Sequence, residues 1–249
     1  MKNKKTKEQI KLGPSYYFLR FNSGNGILPA LLIVSNSAGY FAQSPKYGIA
    51  GPRVDKFCTD LSQKFDVYYL VLQGQDKKYQ DEYDNDTSYS YSRNVEVVAD
   101  EAIRYLKSTT QIVGVIGMCT GAAIAIEAME RTDYGSLPLV MYNTAARVGW
   151  SDPAIQKIFL RKYGKWVNLD CEELVKNAPA ELVPIIQKHQ GKILQIISGK
   201  SDYKQELQEE VAQKIPSITS KTFLTMSDAP IGESEEYQPM IKTILDFFG

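Results

Sequence analysis

The chain has 249 residues, 43% of them hydrophobic, which predicts one large α/β domain with an insertion, or at most two small domains, with a substantial core. Lys plus Arg and Asp plus Glu number 29 each, so the charge gives no reason to expect nucleic acid or an anionic membrane as a partner. Three widely spaced cysteines suggest reduced thiols in a cytoplasmic protein, and with no metal-ligand spacing or long apolar segment we expect no metal, cofactor or membrane span.

The first elements predict a short sheet preceded by a tail. Residues 1–14 are basic and polar, and we expect a flexible, solvated tail. Residues 16–21 predict an edge strand. The apolar run 27–34, with a proline near its start, predicts a central strand that follows this edge strand in the chain. Residues 35–39 then form a loop of small residues at the carboxyl end of that strand, where open α/β sheets bind ligands.

The next segment alternates helix and strand signals. Apolar residues recur at helical spacing from Val54 to Phe65, which makes Cys58 a core residue, and residues 67–72 predict a buried strand. Acidic residues at 81–86 lack the glycine and terminal glutamate of a calcium-binding EF-hand loop, so we predict a solvated loop. Tyr89 and Tyr91 follow it and are candidates for a substrate entrance.

The stretch 111–126 joins a β-branched apolar run, a Gly-x-Cys-x-Gly turn and an Ala-rich apolar segment. This order predicts a strand, a tight turn with Cys119 at its apex, and a helix. Gly117 and Gly121 leave room around a strained corner, and the helix N-terminus favours the thiolate of an accessible Cys119. Two interpretations stay open: an activated nucleophile, or a small buried side chain beside glycines that allow close packing.

The remaining chain continues the alternation around one interruption. A buried strand at 137–143 is followed by residues 145–191, which are rich in aromatic residues such as Trp150 and carry no strand signal. We predict a helical lid insertion there, with a structural crossover as the alternative. Strands at 192–198 and 221–225 and helices at 205–214 and near 240–248 complete an α/β, doubly wound, mostly parallel sheet built from residues 15–144 and 192–249.

From about residue 16 to residue 248 the chain resembles proteins of the α/β-hydrolase fold. Residues 117–121, Gly-Met-Cys-Thr-Gly, are similar to that family's nucleophile elbow, with cysteine in place of serine as in dienelactone-hydrolase-like enzymes and polyester synthases. The resemblance implies that backbone N–H groups of Ser37 and Thr120 hold the oxyanion. It also implies that Asp202, after the next-to-last strand, is the triad acid.

The family's histidine would lie in the loop after the last strand, where residues 226–232 include Asp228 but no histidine. The single histidine, His189, lies near a helix C-terminus with a glycine two residues later, so we predict a helix-capping role. It also precedes the amino end of a strand, opposite the expected active-site edge, which makes it a poor candidate for catalysis. A free thiol with a pKa near 8.5 is already partly ionised at neutral pH, so attack needs no base. Protonation of the leaving group is harder, which favours thioesters or activated esters over amides.

Two function classes follow. The first is a cysteine-dependent acyl hydrolase or acyltransferase, with Cys119 as nucleophile and with Asp202 or Asp228 assisting protons or water. The second is a non-hydrolytic relative that binds a small apolar or acyl ligand or a protein partner. The sequence leaves the substrate and the oligomeric state open. Substrate contacts are predicted from Asn36, Met118, Tyr89, Tyr91 and Trp150.

Overall fold

The centre of the molecule is an eight-stranded sheet with the strand order β1-β2-β4-β3-β5-β6-β7-β8. The computed structural model describes residues 6–13, 16–24, 27–35, 52–72, 91–147, 179, 181–200, 205–227 and 234–249. β2 pairs antiparallel with β1 and β4, and all other neighbouring strands are parallel, as predicted. The strands are β1 (Thr6–Lys11), β2 (Tyr17–Asn22), β3 (Ala30–Val34), β4 (Asp66–Val71), β5 (Ile112–Met118), β6 (Leu139–Tyr142), β7 (Ile193–Lys200) and β8 (Thr219–Ser227).

Helices cover both faces of this sheet. One face packs on α1 (Pro52–Leu61) and α7 (Tyr237–Phe248). The other face packs on α2 (Tyr91–Glu96), which runs through a π-helical segment, Val97–Ile103, into α3 (Arg104–Thr109), and on α4 (Gly121–Glu130), α5 (Val183–Ile186) and α6 (Gln205–Lys214). The doubly wound arrangement is therefore confirmed. No helix among the described residues combines the length and the apolar character needed to cross a membrane.

The central strands are apolar on both faces because both faces are covered. Leu31 and Ile33 of β3 belong to the core on the α1 and α7 side, whereas Leu32 and Val34 belong to the core on the α4 side. All five residues of this strand are buried. Continuous apolar runs of this kind are typical of parallel strands between two helical layers.

Parallel pairing brings the ends of successive strands to one edge of the sheet. Val34 of β3 pairs with Gly117 of β5, and Met118 of β5 pairs with Tyr142 of β6. The chain segments that leave β3, β5, β6, β7 and β8 therefore start at the same edge, which we call the carboxyl edge. This is the edge at which open α/β sheets bind their ligands.

The N-terminal segment corrects one prediction. Thr6–Lys11 was expected in a flexible tail, but it forms β1 and pairs with β2 through register pairs from Thr6–Asn22 to Lys11–Tyr17. β2 is therefore not the edge strand. Lys7 supports the pairing, since its ammonium lies 2.8 Å from a carboxylate oxygen of Asp55 on α1.

The predicted lid segment leaves and re-enters the core at one point. The N–H of Leu182 donates to the carbonyl of Ala146 at 2.8 Å, and Arg147 and Glu181 form an isolated antiparallel bridge. Residues 148–178 and 180, which include Trp150, lie outside the described residues, so the lid stays a prediction. At the returning end of this segment, α5 packs in the core against α4.

Candidate active site

Cys119 sits at the apex of a sharp turn between β5 and α4. Its φ of 54° lies in the left-handed region, which non-glycine residues rarely adopt. β5 ends at Met118 and α4 begins at Gly121, so only Cys119 and Thr120 make the turn. The predicted strand, turn and helix around Cys119 are therefore confirmed, and we call residues 117–121 the elbow.

Two glycines allow the elbow to form. A Cβ added at Gly117 would overlap the Cα of Ala122 on α4, and one added at Gly121 would overlap the carbonyl oxygen of Val34 at the end of β3. Any side chain at either position would push α4 away from the sheet. The glycines thus set how closely the start of α4 approaches β3 and β5.

The backbone of Cys119 is held on both sides. Its N–H donates to the carbonyl of Tyr142 at 2.8 Å. Its carbonyl accepts from the N–H of Ala122 at 3.2 Å and from the hydroxyl of Thr144 at 3.2 Å. Since left-handed backbone at a non-glycine residue costs about 1–3 kcal/mol, surrounding contacts of this kind are needed to keep it.

The elbow side chains are more covered than expected. Cys119 is 5% exposed, Met118 7% and Thr120 8%. The accessible sulfur that the turn predicted is therefore not observed, although Cys119 retains more surface than Cys58, which is fully buried on α1. A nucleophile in this position lies just beneath the surface.

The chain segment after β6 provides neighbours that sequence reasoning missed. Asn143, directly after β6, has φ 53°, and Cys119 and Asn143 are the two non-glycine residues with positive φ among those described. Thr144 follows and donates to Cys119. The only signal in the sequence was an asparagine at a strand end, a residue type that tolerates left-handed backbone.

A tyrosine lies on the other side of the elbow, on the sheet face toward α1. Tyr69 of β4 is buried and hydrogen-bonds the side chain of Ser35, the residue that follows β3. Burial is the main cause that raises the pKa of Tyr69, and the hydrogen bond with Ser35 only partly opposes it. Tyr69 therefore stays a neutral phenol that can donate or accept a hydrogen bond at the start of the predicted oxyanion loop.

The structure covers only some of the predicted site residues. Cys119, Met118 and Thr120 come together at the elbow, whereas Tyr91 is buried at the start of α2, near Glu127 of α4. Burial raises the pKa of Tyr91, and the nearby Glu127 adds to the effect. The predicted substrate contact of Tyr91 stays a prediction. The remaining predicted site residues lie outside the described part of the chain: Asn36, Ser37, Tyr89, Trp150, Asp202 and Asp228.

The single histidine lies far from Cys119. His189 packs beside the carbonyl of Leu137, just before β6 begins, whereas Cys119 contacts Tyr142, the last residue of β6. Five residues of extended chain between Leu137 and Tyr142 correspond to about 16 Å. Burial lowers the pKa of His189 and outweighs the opposing effect of the Leu137 carbonyl, so the ring stays neutral. No imidazole is available at Cys119 because the chain has no other histidine.

The loop that contains Asp228 is fastened at both ends. Before it, Thr225 donates its N–H and its hydroxyl to the carboxylate of Glu236 at 2.5 and 2.7 Å. The Thr225 hydroxyl also lies 2.7 Å from that of Ser234, after the loop. The hydrogen bonds with Thr225 lower the pKa of Glu236. Asp228 follows directly on β8, which ends at Ser227 on the carboxyl edge.

Among the described residues, no group of three or more His, Cys, Asp or Glu side chains is placed to hold a metal ion. The groups at the elbow are a thiol, hydroxyls and backbone amides. This set suits nucleophilic attack on a carbonyl and hydrogen bonding to the resulting oxyanion.

Solved structures share this architecture at low sequence identity. The Pyrococcus furiosus esterase Pf2001 is 13% identical, with a TM-score of 0.63 over 98% of this chain and 90% of its own. An α/β hydrolase from the metagenome of Mar Chica lagoon sediments is 12% identical, with a TM-score of 0.61 over 96% and 98%. The thioesterase domain from the curacin biosynthetic pathway is 10% identical, with a TM-score of 0.59 over 99% of both chains. No protein-family model and no curated protein matches the sequence.

Proposed function

We propose that this α/β-hydrolase-fold protein is a cysteine-dependent acyl hydrolase or acyltransferase that acts on thioesters or activated esters. The observation that carries the proposal is the left-handed backbone of Cys119 at a glycine-flanked turn between β5 and α4. That conformation is costly for a non-glycine residue, and such strain is concentrated at functional sites. Structural neighbours named as an esterase and a thioesterase support the same class of reaction.

The first half of the reaction forms an acyl-enzyme. The Cys119 thiolate attacks the carbonyl carbon of the substrate, and the electron pair of the C=O bond moves to oxygen. Backbone N–H groups of Thr120 and Ser37 hold that oxyanion. When the C=O bond re-forms, the bond to the leaving thiolate or alkoxide breaks, and the leaving group takes a proton from water or from a nearby acid.

The second half returns the enzyme to its starting state. Water, or an acceptor alcohol, thiol or amine, attacks the acyl carbon and the Cys119 sulfur leaves as thiolate. The attacking group loses one proton, and we assign Asp202 and Asp228 the tasks of orienting it and accepting that proton. Both belong to segments that start at the carboxyl edge, directly after β7 and β8.

The missing imidazole restricts the substrate. His189 lies beside Leu137, before the start of β6, whereas the elbow lies at the end of β6 beside Tyr142, so no histidine protonates the leaving group. A thiolate or a stabilised alkoxide leaves without that help, whereas an amine does not. The N-terminus of α4, ten residues long, favours the thiolate of Cys119 without a base.

The rest of the site is proposed from the sequence. We propose that Met118 at the elbow contacts the substrate and that residues 145–191 form a lid. We also propose that the protein is cytoplasmic and that its cysteines are reduced. The proposed substrate contacts outside the described residues are Asn36, Tyr89 and Trp150, and Tyr91 completes the set from the start of α2.

A second candidate function is binding without turnover. The low exposure of Cys119 and the absence of a histidine at the elbow favour it, because a buried apolar site without a proton donor suits binding of a small apolar or acyl ligand better than turnover. In this case the elbow would be a structural remnant of the fold.

One experiment separates the two functions. The wild-type protein is incubated with a panel of acyl thioesters and activated esters of increasing chain length, and its intact mass is measured. We expect one added acyl group per chain, mapped to Cys119 and absent from Cys119→Ala. No adduct from any member of the panel, together with saturable binding of apolar ligands, would establish the binding function instead.

A further inference from the structure

We propose that Thr144 and Gln195 are positioning residues that hold Cys119 in its reactive conformation through a buried chain of hydrogen bonds. This set of hydrogen bonds, which we call the Thr144 network, joins Thr144, Gln195, Gln208 and Ser198. The proposal rests on the proposed function, because it assigns these residues a part in the chemistry of Cys119. Neither Thr144 nor Gln195 was singled out by the sequence.

The network begins at the elbow. The Thr144 side chain has no exposed surface, and its hydroxyl donates to the carbonyl of Cys119 at 3.2 Å. The N–H of Ala122 also donates to that carbonyl, at 3.2 Å. Thr144 therefore holds this carbonyl from the end of a different strand than the one that carries Cys119.

Gln195 holds Thr144 in turn. It is fully buried on β7, and its Nε2 donates to the carbonyl of Thr144 at 3.2 Å and to the carbonyl of Gln208 at 2.7 Å. Because both partners are carbonyl oxygens, only the NH₂ side of the amide can face them, and the orientation of Gln195 is fixed. Because the orientation of this buried amide is fixed, its hydrogen bond also fixes the position of the Thr144 main chain.

Gln208 of α6 extends the network to the end of β7. It is fully buried, and its Oε1 accepts from the N–H of Ser198 at 3.4 Å, near the point where the segment with Asp202 begins. The network thus connects α6, the end of β7, the segment after β6 and the elbow, all at or near the carboxyl edge.

The network matters for chemistry because the elbow conformation is strained. If the Thr144 hydroxyl is lost, the Cys119 carbonyl loses a hydrogen bond and the turn can relax, so that the sulfur and the Thr120 N–H move relative to each other. Misplacement of reacting groups by about 1 Å can cost on the order of 100-fold in rate. A purely structural role for Thr144 predicts lost stability without a specific loss of rate at Cys119.

The test uses variants of Thr144 with a matched control. Thr144→Val removes the hydroxyl at nearly constant volume, and Thr144→Ser restores it. Thr132→Val is the control, because the Thr132 hydroxyl also donates to a main-chain carbonyl, that of Met129 at 3.0 Å, in the turn that follows α4. Rates of Cys119 acylation by a thioester and alkylation by iodoacetamide are measured on each full-length protein.

We expect Thr144→Val to slow acylation about 10- to 100-fold in the maximal rate, with little change in the half-saturating thioester concentration. Thr144→Ser should lie within about threefold of wild type, and Thr132→Val should match wild type. Wild-type rates in Thr144→Val, or no rescue by serine, would overturn the proposal. A loss in Thr132→Val equal to that in Thr144→Val would do the same.

Gln195→Met keeps the test decisive if Thr144→Val does not fold. It removes the buried amide at similar volume and should slow acylation of Cys119 by a smaller factor, about 3- to 30-fold. Where both single variants fold, their losses should not multiply in the double variant, because both residues act through the same hydrogen-bond network. Unchanged rates in Gln195→Met, or losses that multiply, would contradict the shared network.

Iodoacetamide alkylation separates failure of this inference from failure of the proposed function. It needs the thiolate of Cys119 in its place but no oxyanion site and no leaving-group proton. If wild type is never acylated but Thr144→Val still slows alkylation and serine restores it, the positioning role holds while the acyl-transfer proposal fails.

Discussion

The main-chain N–H of Cys119 donates to the carbonyl of Tyr142 at 2.8 Å, so the residue at the apex of the turn is still bonded to the neighbouring strand of the sheet. Met118 and Tyr142 pair directly before it in the parallel β5–β6 ladder. A sulfur carried by such a residue is placed by a buried, rigid strand, which is the placement that precise chemistry requires.

Thiol reactivity should distinguish Cys119 from Cys58. Cys58 is fully buried on α1, and burial raises its thiol pKa, so little thiolate forms at neutral pH. With limiting iodoacetamide at about pH 7, peptide mapping should find Cys119 labelled at least about tenfold faster than Cys58. Preferential labelling of Cys58, or of Cys171 outside the described residues, would count against an activated thiol at the elbow.

A methyl group at Gly121 should destabilise the protein. In Gly121→Ala the new Cβ meets the carbonyls of Val34 and Ser35, which belong to buried backbone and cannot turn away. We expect the free energy of unfolding in urea to fall by about 1–3 kcal/mol, the range of other overpacked cores. Gly135→Ala is the control, because its Cβ would lie 4.0 Å from the nearest atom outside the adjacent residues. Equal losses in both variants would argue against the close packing described for α4.

His189 should be dispensable for the chemistry. In His189→Ala, thiol alkylation and thioester acylation of Cys119 should stay within about twofold of wild type, because the ring lies beyond reach at the start of β6. The alkylation rate of Cys119 should rise with pH along a single ionisation in both proteins, as expected for a thiol without an imidazole partner. A large loss of activity in a folded His189→Ala protein would refute this placement.

Glu236 should make a pH-dependent contribution to stability. Its folded-state pKa is lowered, chiefly by the hydrogen bonds with Thr225, so its contribution is fully present above the unfolded-state pKa of about 4.3 and is lost as the pH falls through the lower folded value. Glu236→Gln should therefore be less stable than wild type near neutral pH, and the gap should shrink below about pH 4.

Urea unfolding at several pH values measures this gap. Glu235→Gln is the matched control, since Glu235 is an exposed carboxylate one position away in the chain. A gap that is independent of pH, or one of equal size in the control, would contradict the role of Glu236 in fastening the Asp228 loop.

The sequence predicted the sheet and the elbow because both leave local patterns. Continuous apolar runs such as β3 indicate strands buried on two faces, and the Gly-x-Cys-x-Gly turn lies between a β-branched run and an Ala-rich helix. The sequence also predicted that His189 lies away from the elbow, because His189 precedes the amino end of a strand and the elbow follows the carboxyl end of another.

Elements stabilised by distant partners left no such pattern. Thr6–Lys11 has no apolar alternation and forms β1 through main-chain pairing with β2. Gln195 stands in a buried strand between Leu194 and Ile196, and its partners are main-chain carbonyls of Thr144 and Gln208, which a sequence does not reveal. The low exposure of Cys119 likewise depends on the packing of segments far apart in the chain.

The hydrogen bond between Ala146 and Leu182 holds the two ends of the segment 147–181 together at the core. Because the N–H of Leu182 donates to the carbonyl of Ala146 at 2.8 Å, the positions at which the chain leaves the β6 end and enters α5 lie side by side. The closure entropy of a loop grows only slowly with its length, so segments of very different size can be exchanged at this base at a small cost in stability. Under the proposed function, replacement of residues 147–181 is expected to alter substrate preference, while the hydrogen bonds of Cys119 with Tyr142 and Thr144 stay in place.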